Sequence, residues 1–262
     1  MTKPTIALLT DFGTRDHYAG VMKGVILSIC PEATIVDLSH DLPAHDIPFA
    51  ALELAATYKY FPPGTIFMAV VDPGVGTSRR GLAAEVGDWK FVAPDNGVLT
   101  EVLHEVPPKK VVELTERKYA RPTVSRTFEG RDRFAPAAAW LAKGIQLPAL
   151  GRPVSDYHML ALPRANVVNG DLHGTVVRID RFGNVVTNLD RKTCEKFAGS
   201  AMQVSVADRL IGRMVSTYSD IAVGELGALF GSTDHLEFAA QAASAAEVLG
   251  VQVGDPVVVK RV

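Results

Sequence analysis

Three aspartates stand at or just after the ends of short apolar runs. Asp11 follows residues 5–10, Asp72 closes on residues 65–71, and Asp95 comes after residues 90–93 and Pro94. In open parallel sheets, ligands bind beyond the carboxyl ends of the strands, so three acids placed this way can meet at one pocket. Aspartate also favours turns and caps for local reasons, because its short carboxylate accepts backbone N–H bonds. The repetition of one placement is what points to a site. The densest segment is Val71-Asp72-Pro73-Gly74-Val75-Gly76-Thr77-Ser78-Arg79-Arg80. Its glycines permit a tight loop and Pro73 stops strand pairing. Asp72 and Arg79, at the two ends of the loop, can meet as a charge-assisted pair. Gly-Lys-Ser/Thr is missing, so the loop is not a phosphate-binding P-loop.

Two further clusters carry polar chemistry. Phe128-Glu129-Gly130-Arg131-Asp132-Arg133-Phe134-Ala135-Pro136 leads into a helical pattern, where Asp132 suits a helix start and the arginines suit solvent. Asp180-Arg181-Phe182-Gly183-Asn184 joins an aromatic ring to amide and carboxylate groups across a turn. That combination fits a flat heterocycle, with Phe182 stacking and Asn184 bonding an edge; a plain hairpin turn is the other reading. The seven histidines show no compact ligand spacing, so no metal site is expected, and each reads as a capping or surface residue. No Gly-x-Ser-x-Gly nucleophile motif occurs. Asp11-Phe12-Gly13 matches a kinase triplet only by letters, since no nucleotide lobe precedes it.

The elements that must position these residues alternate in kind. Residues 5–10, 34–38, 65–71 and 90–93 read as strands. Residues 17–28 show helical spacing, with Tyr18, Val21, Val25 and Ile29 on one face; residues 47–60, 98–104 and 133–143 also read as helices. Residues 107–127 suit peripheral strands or loops. This rhythm predicts a three-layer α/β domain with a mainly parallel sheet over residues 1–163. The character changes near Leu162. A connection over about 164–171 leads to short β-like pieces at 174–180, 184–187, 202–206, 226–231, 235–238 and 256–260. Residues 172–262 therefore read as an antiparallel β-barrel domain.

Composition excludes several classes. Lys and Arg total 27 against 29 Asp and Glu, a net charge of −2, which argues against a nucleic-acid partner. The two cysteines suggest neither a disulfide scaffold nor a zinc knuckle. No leader-like or spanning apolar stretch is visible, so no membrane association is expected and a cytoplasmic location is the default.

Taken in order, Thr10-Asp11-Phe12-Gly13, Val71-Asp72-Pro73-Gly74-Val75-Gly76, Ala93-Pro94-Asp95-Asn96-Gly97-Val98-Leu99-Thr100, Gly130-Arg131-Asp132-x-Phe134-Ala135-Pro136 and Asp180-Arg181-Phe182-Gly183-Asn184 form a recognisable set. The chain resembles the S-adenosyl-L-methionine (SAM) hydroxide adenosyltransferases, the adenosine-forming SAM hydrolases, whose halide-using relatives are fluorinase and chlorinase. The resemblance runs from about Ile6 to the C-terminus. It implies an N-terminal α/β domain, a C-terminal β-barrel and a homotrimer, with SAM between the N-domain of one subunit and the C-domain of its neighbour. It implies that SAM and water give adenosine and L-methionine, with SAM as substrate and no cofactor. It implies that Asp72 and Arg79 handle the water and that Asp11 holds the ribose hydroxyls. Asn184 would bond the adenine edge, with Phe182 and Tyr218 packing the purine. Asp180 would face the methionine ammonium and Ser232 its carboxylate, with Glu237 in the same pocket; Phe12 and Asn96 complete the substrate-binding set.

One position departs from the pattern. The hydrolases usually have Phe-His-Gly-Arg-Asp, and here Glu129 takes the His position. A carboxylate can still accept a hydrogen bond from water or pair with Arg79, and its charge should disfavour a halide nearby. Asp72, Arg79 and Glu129 are therefore the expected catalytic set, and hydrolysis the expected reaction. The alternatives are a SAM- or adenosine-binding protein with little turnover, a SAM-dependent halogenase and, from the clustered aspartates alone, a metal-dependent hydrolase.

Overall fold

The computed structural model describes residues 3–199 and 201–262. The chain forms two compact units, Met1–Ala161 and Leu162–Val262. The first unit contains β1 (Thr5–Thr10), α1 (Tyr18–Ile29), β2 (Thr34–Ser39), α2 (Ile47–Thr57), β3 (Ile66–Val70), β4 (Gly81–Val86), β5 (Trp89–Pro94), α3 (Thr100–Glu105), β6 (Lys110–Leu114), α4 (Ala135–Ala142) and β7 (Gly151–Pro153). The strands form one mixed sheet in the order β2-β1-β3-β5-β4-β6-β7. Pairing is parallel from β2 through β5 and antiparallel from β5 to β7, so β1, β2, β3, β5 and β6 share one direction.

Alternation along the strands builds three layers. Ile6 and Leu8 of β1 and Met68 and Val70 of β3 pack with Met22, Val25 and Ile26 of α1 and with α4. Ala7 and Leu9 of β1 and Phe67 and Ala69 of β3 pack on the opposite face, with Leu54 of α2 and Val102 of α3. The antiparallel strand β4 is invisible to periodicity. Gly81-Leu82-Ala83-Ala84 carries small residues of low strand propensity, and its conformation is set by the slot between β5 and β6.

The second unit contains β8 (Asn166–Val168), β9 (Asp171–Ile179), β10 (Val185–Asp190), α5 (Arg191–Ala198), β11 (Met202–Val206), β12 (Arg209–Ile211), β13 (Leu226–Phe230), β14 (His235–Ala240), α6 (Ala245–Leu249) and β15 (Pro256–Arg261). The order is β12-β11-β15-β9-β10-β14-β13, all antiparallel, with β8 beside β9. A bridge from Met214 to Ala228 of β13 brings the sheet's two ends together and nearly closes a barrel. Val176, Val185, Leu189, Val204, Leu236, Phe238 and Val257 fill its core.

Residues 166–168, expected within a connection, are a strand. Asn169 and Gly170 both have positive φ, 52° and 89°, the conformation a tight two-residue hairpin needs. Helices α5 and α6 were not expected either. Helix α5 is short and mostly polar, and its apolar stripe is only Cys194, Phe197 and Ala198, which pack on the barrel core; Asp190 caps it, accepting from the Thr193 N–H at 2.8 Å.

Candidate active site

The parallel strands β1, β3 and β5 are neighbours, so Asp11, Asp72 and Asp95 emerge at the same edge of the sheet. Their carboxylates are used differently. Asp72 faces Arg79: Arg79 Nε donates to Asp72 Oδ1 at 2.9 Å and Nη2 donates to Oδ2, a two-point contact. The pair is largely buried, with 5% and 10% of the side chains exposed. The loop between them can close because Gly76 has φ +80° and lies against Arg126; a Cβ there would fall 2.4 Å from the Arg126 carbonyl oxygen.

Glu129 completes this group from another element. It opens a π-type turn, Gly130–Phe134, in which the Ala135 N–H bonds the Gly130 carbonyl five residues back. Its Oε2 lies 2.6 Å from Arg79 Nη1, an ion-pair contact without hydrogen-bond alignment. The expected pairing of Glu129 with Arg79 is thus present. Arg79 therefore spans two carboxylates, and its guanidinium also rests over the Phe134 ring, 5.3 Å from the centroid. Burial opposes its charge, but Asp72 and then Glu129 outweigh burial and hold its pKa above the ordinary guanidinium value.

Asp11 lies one strand away, its carboxylate accepting the His45 N–H at 2.8 Å. Phe12 belongs to an aromatic cluster, 5.8 Å from Tyr18 and 6.1 Å from Phe128, the neighbour of Glu129. Asn96 is engaged through both ends of its amide: Nδ2 donates to the Val71 carbonyl at 2.8 Å and Oδ1 accepts the Val98 N–H at 3.2 Å. It ties the end of β5 to the residue before Asp72. Asp95 is an anchor, accepting from Arg80 Nε and the His158 N–H, each at 2.7 Å.

The remaining candidates lie in the second unit. The turn after β9 is organised by Asp180, whose Oδ1 accepts the Phe182 and Asn184 N–H groups at 2.8 and 2.9 Å, while Oδ2 accepts from Asn184 Nδ2 at 2.9 Å. Much of this carboxylate's capacity is spent on its own turn, which leaves the Phe182 ring 79% exposed at the tip. Tyr218, half-exposed, donates its hydroxyl to Oε1 of the buried Glu237. Arg178 and Glu237 pair with the same residue, Val186 of β10, and so share a face of the barrel. Burial first, then the Asp180 charge, raise the Glu237 pKa despite Tyr218 and Arg178. Ser232 is exposed in the turn joining β13 and β14.

Sequence reasoning missed four contributors. Tyr18 and Phe128 complete the cluster around Phe12. His40, expected at a cap or the surface, is buried, with Nδ1 2.8 Å from the hydroxyl of Thr10, the residue before Asp11. Arg133, expected in solvent, is drawn onto Glu129, donating from Nη1 to Oε1 at 3.1 Å. For Arg133 a signal existed, since Glu and Arg four apart on a helical turn attract. Asp132, expected at a helix start, is fully buried among Arg131, Arg121 and the Ser125 N–H. Among the described residues, no group of three or more His, Cys, Asp or Glu is placed to hold a metal ion, and no helix is long and apolar enough to cross a membrane.

Known proteins resemble the chain along both units. Residues 6–151 match the SAM hydroxide adenosyltransferase N-terminal domain, and residues 174–258 the C-terminal domain of the same family. The (R)-S-adenosyl-L-methionine hydrolase of Thermus thermophilus is 38% identical over 260 residues, covering 96% of this chain and 98% of that protein. A protein of the same name from Salinispora tropica is 36% identical, covering 96% of each. A fluorinase from an Actinoplanes species is 31% identical, covering 98% of each. The crystal structure of an uncharacterized conserved protein from Thermotoga maritima superposes with a TM-score of 0.92 at 36% identity, covering 98% of this chain and all of that one. Matched along both units, the chain belongs to the SAM hydroxide adenosyltransferase family.

Proposed function

We propose that this protein is an enzyme that hydrolyses SAM to adenosine and L-methionine. The carrying observation is the buried Asp72–Arg79–Glu129 set at the carboxyl edge of the sheet, in a chain whose hydrolase relatives match it over nearly its full length. A sulfonium is already a good leaving group, so the chemistry needs no general acid. What it needs is a water held in line with the C5′–S bond and relieved of a proton. The oxygen of water forms the new bond to C5′, the C5′–S electron pair goes to sulfur as neutral methionine, and the proton passes to the Asp72 carboxylate. A guanidinium has five N–H donors, so Arg79 keeps capacity to donate to a water beside Asp72 while bound to both carboxylates. Two carboxylates on that arginine also favour neutral water over a halide anion.

In the same reading Asp11 holds the ribose diol, Phe12 and Asn96 line its surroundings, and Phe182, Asn184 and Tyr218 hold the adenine. Asp180, Ser232 and Glu237 take the methionine end. SAM is the substrate and no cofactor takes part. The candidate residues fall in two units, neither of which alone offers both the water-handling set and the exposed ring. We read the enzyme as a cytoplasmic homotrimer, the trimer being what the family resemblance implies, with SAM between one subunit's N-terminal unit and its neighbour's C-terminal unit. Light scattering on the purified chain tests the trimer.

The deciding experiment is incubation with SAM, with and without chloride or fluoride and with EDTA, followed by product identification. Adenosine and methionine without halide, unaffected by EDTA, are expected. A 5′-halo-adenosine formed only with halide would replace hydrolase by halogenase. Binding by calorimetry without product would overturn the enzyme reading.

A further inference from the structure

Glu129 is held from two sides. Its Oε2 lies 2.6 Å from Arg79, and its Oε1 accepts from Arg133 Nη1 at 3.1 Å. Arg133 is itself fixed, since Nη2 donates to the Leu114 carbonyl at the end of β6, at 2.8 Å. Asp72 and Glu129 both draw on Arg79, and all three side chains are at most 12% exposed. With Arg79 alone the group would carry two negative charges against one positive. Arg133 makes it neutral. In a water-poor site an unmatched carboxylate is costly and competes for the nearest cation, which here is the partner of Asp72.

We propose that Arg133 is a positioning residue for hydrolysis. It matches the charge of Glu129 and turns that carboxylate onto Arg79, and so keeps Arg79 seated on Asp72 without touching SAM. This inference rests on the hydrolase reading.

The test is kinetics on the full chain, by single turnover with enzyme in excess so that slow variants stay measurable, alongside steady-state KM. Arg133→Gln is expected to lower the rate about tenfold while KM for SAM stays within about twofold, since the interaction lost does not involve bound substrate. Arg133→Lys, which keeps the charge, is expected to retain most of the rate. In a Glu129→Gln background, Arg133→Gln is expected to cost less than about twofold, because the group through which it acts has lost its charge. An equal loss in both backgrounds would show that Arg133 serves the fold through Leu114, and would overturn the proposal. An unchanged rate in Arg133→Gln would do the same. Arg133→Met, which keeps the apolar stem, answers the same question should the Gln variant fail to fold. Wild-type protein that turns over no SAM would overturn the hydrolase reading first, and this inference with it, before any variant is compared.

Discussion

Arg79 shows at residue scale how a charge can be both buried and secure. Burial works against the guanidinium, yet two carboxylates and an aromatic face surround it. Replacing Asp72 by Asn removes the proton acceptor and one of those carboxylates. Its kcat is expected to fall by about 10²–10⁴-fold, the range of general-base loss, in product assays at saturating SAM. A smaller loss would assign the proton elsewhere. Phe182 is the opposite case, an exposed ring with little structural duty. Phe182→Ala is expected to raise KM for SAM several-fold while changing stability by less than about 0.5 kcal/mol, as surface substitutions do. Unchanged KM would remove Phe182 from the purine site. Asp72, Arg79 and Phe182 were legible in the sequence because each sits in a compact turn motif. His40 and Tyr18 were not, since the residues they meet become neighbours only on folding.

At the scale of elements, the π-type turn and the segment before it are tied down by one acid. Asp132 is fully buried and accepts from Arg131 Nε and Nη2 at 2.7 Å and from the Ser125 N–H at 2.8 Å, while Arg121 Nε lies 3.0 Å away. Asp132→Ala leaves those donors without their acceptor, and a loss of about 1.5–3 kcal/mol, the range for hydrogen bonds to a charged group, is expected in urea denaturation. A loss below about 1 kcal/mol would show that the network is not what holds the turn. The local sequence suggested only a helix start here, because the partners Arg121 and Ser125 approach through a loop without periodicity. Strand β4 was hidden for a related reason: its small residues satisfy a slot that its neighbours create.

Across the whole molecule, burial meets charge with opposite outcomes. Asp132 and Asp190 are held below the usual carboxylate range: burial pushes each upward, but Arg131 for Asp132 and Thr193 for Asp190 more than offset it. A carboxylate with a depressed folded pKa contributes stability above its unfolded value, near 3.9, and loses it as pH falls through the folded value. Thermal melts should therefore show stability dropping as the pH is lowered below about 4. Glu237 has the opposite sign. Its folded pKa is raised, so the folded state gives up its proton later than the unfolded chain, and stability declines as pH rises from about 4.3 through the folded value. Glu237→Gln is expected to gain stability relative to wild type at pH 7, with the gain vanishing at pH 4. An equal effect at both pH values would place the change in packing rather than ionisation.

The sequence by itself determined what depends on chain neighbours: the apolar runs, their endings in aspartate, the order of motifs and the loop joining Asp72 to Arg79. The Asn169-Gly170 hairpin was also written locally, in residues that tolerate positive φ. Tertiary structure decided how groups far apart in the chain are brought into contact. Glu129 reaches Arg79 across the fold, Arg133 reaches the Leu114 carbonyl, and His40 reaches Thr10. Such contacts follow from how layers pack and which groups must share a buried space, and no local propensity encodes them. The acid at position 129 was plain in the sequence. That it would be held between two arginines, one of them bound to Asp72, was settled only when the chain folded.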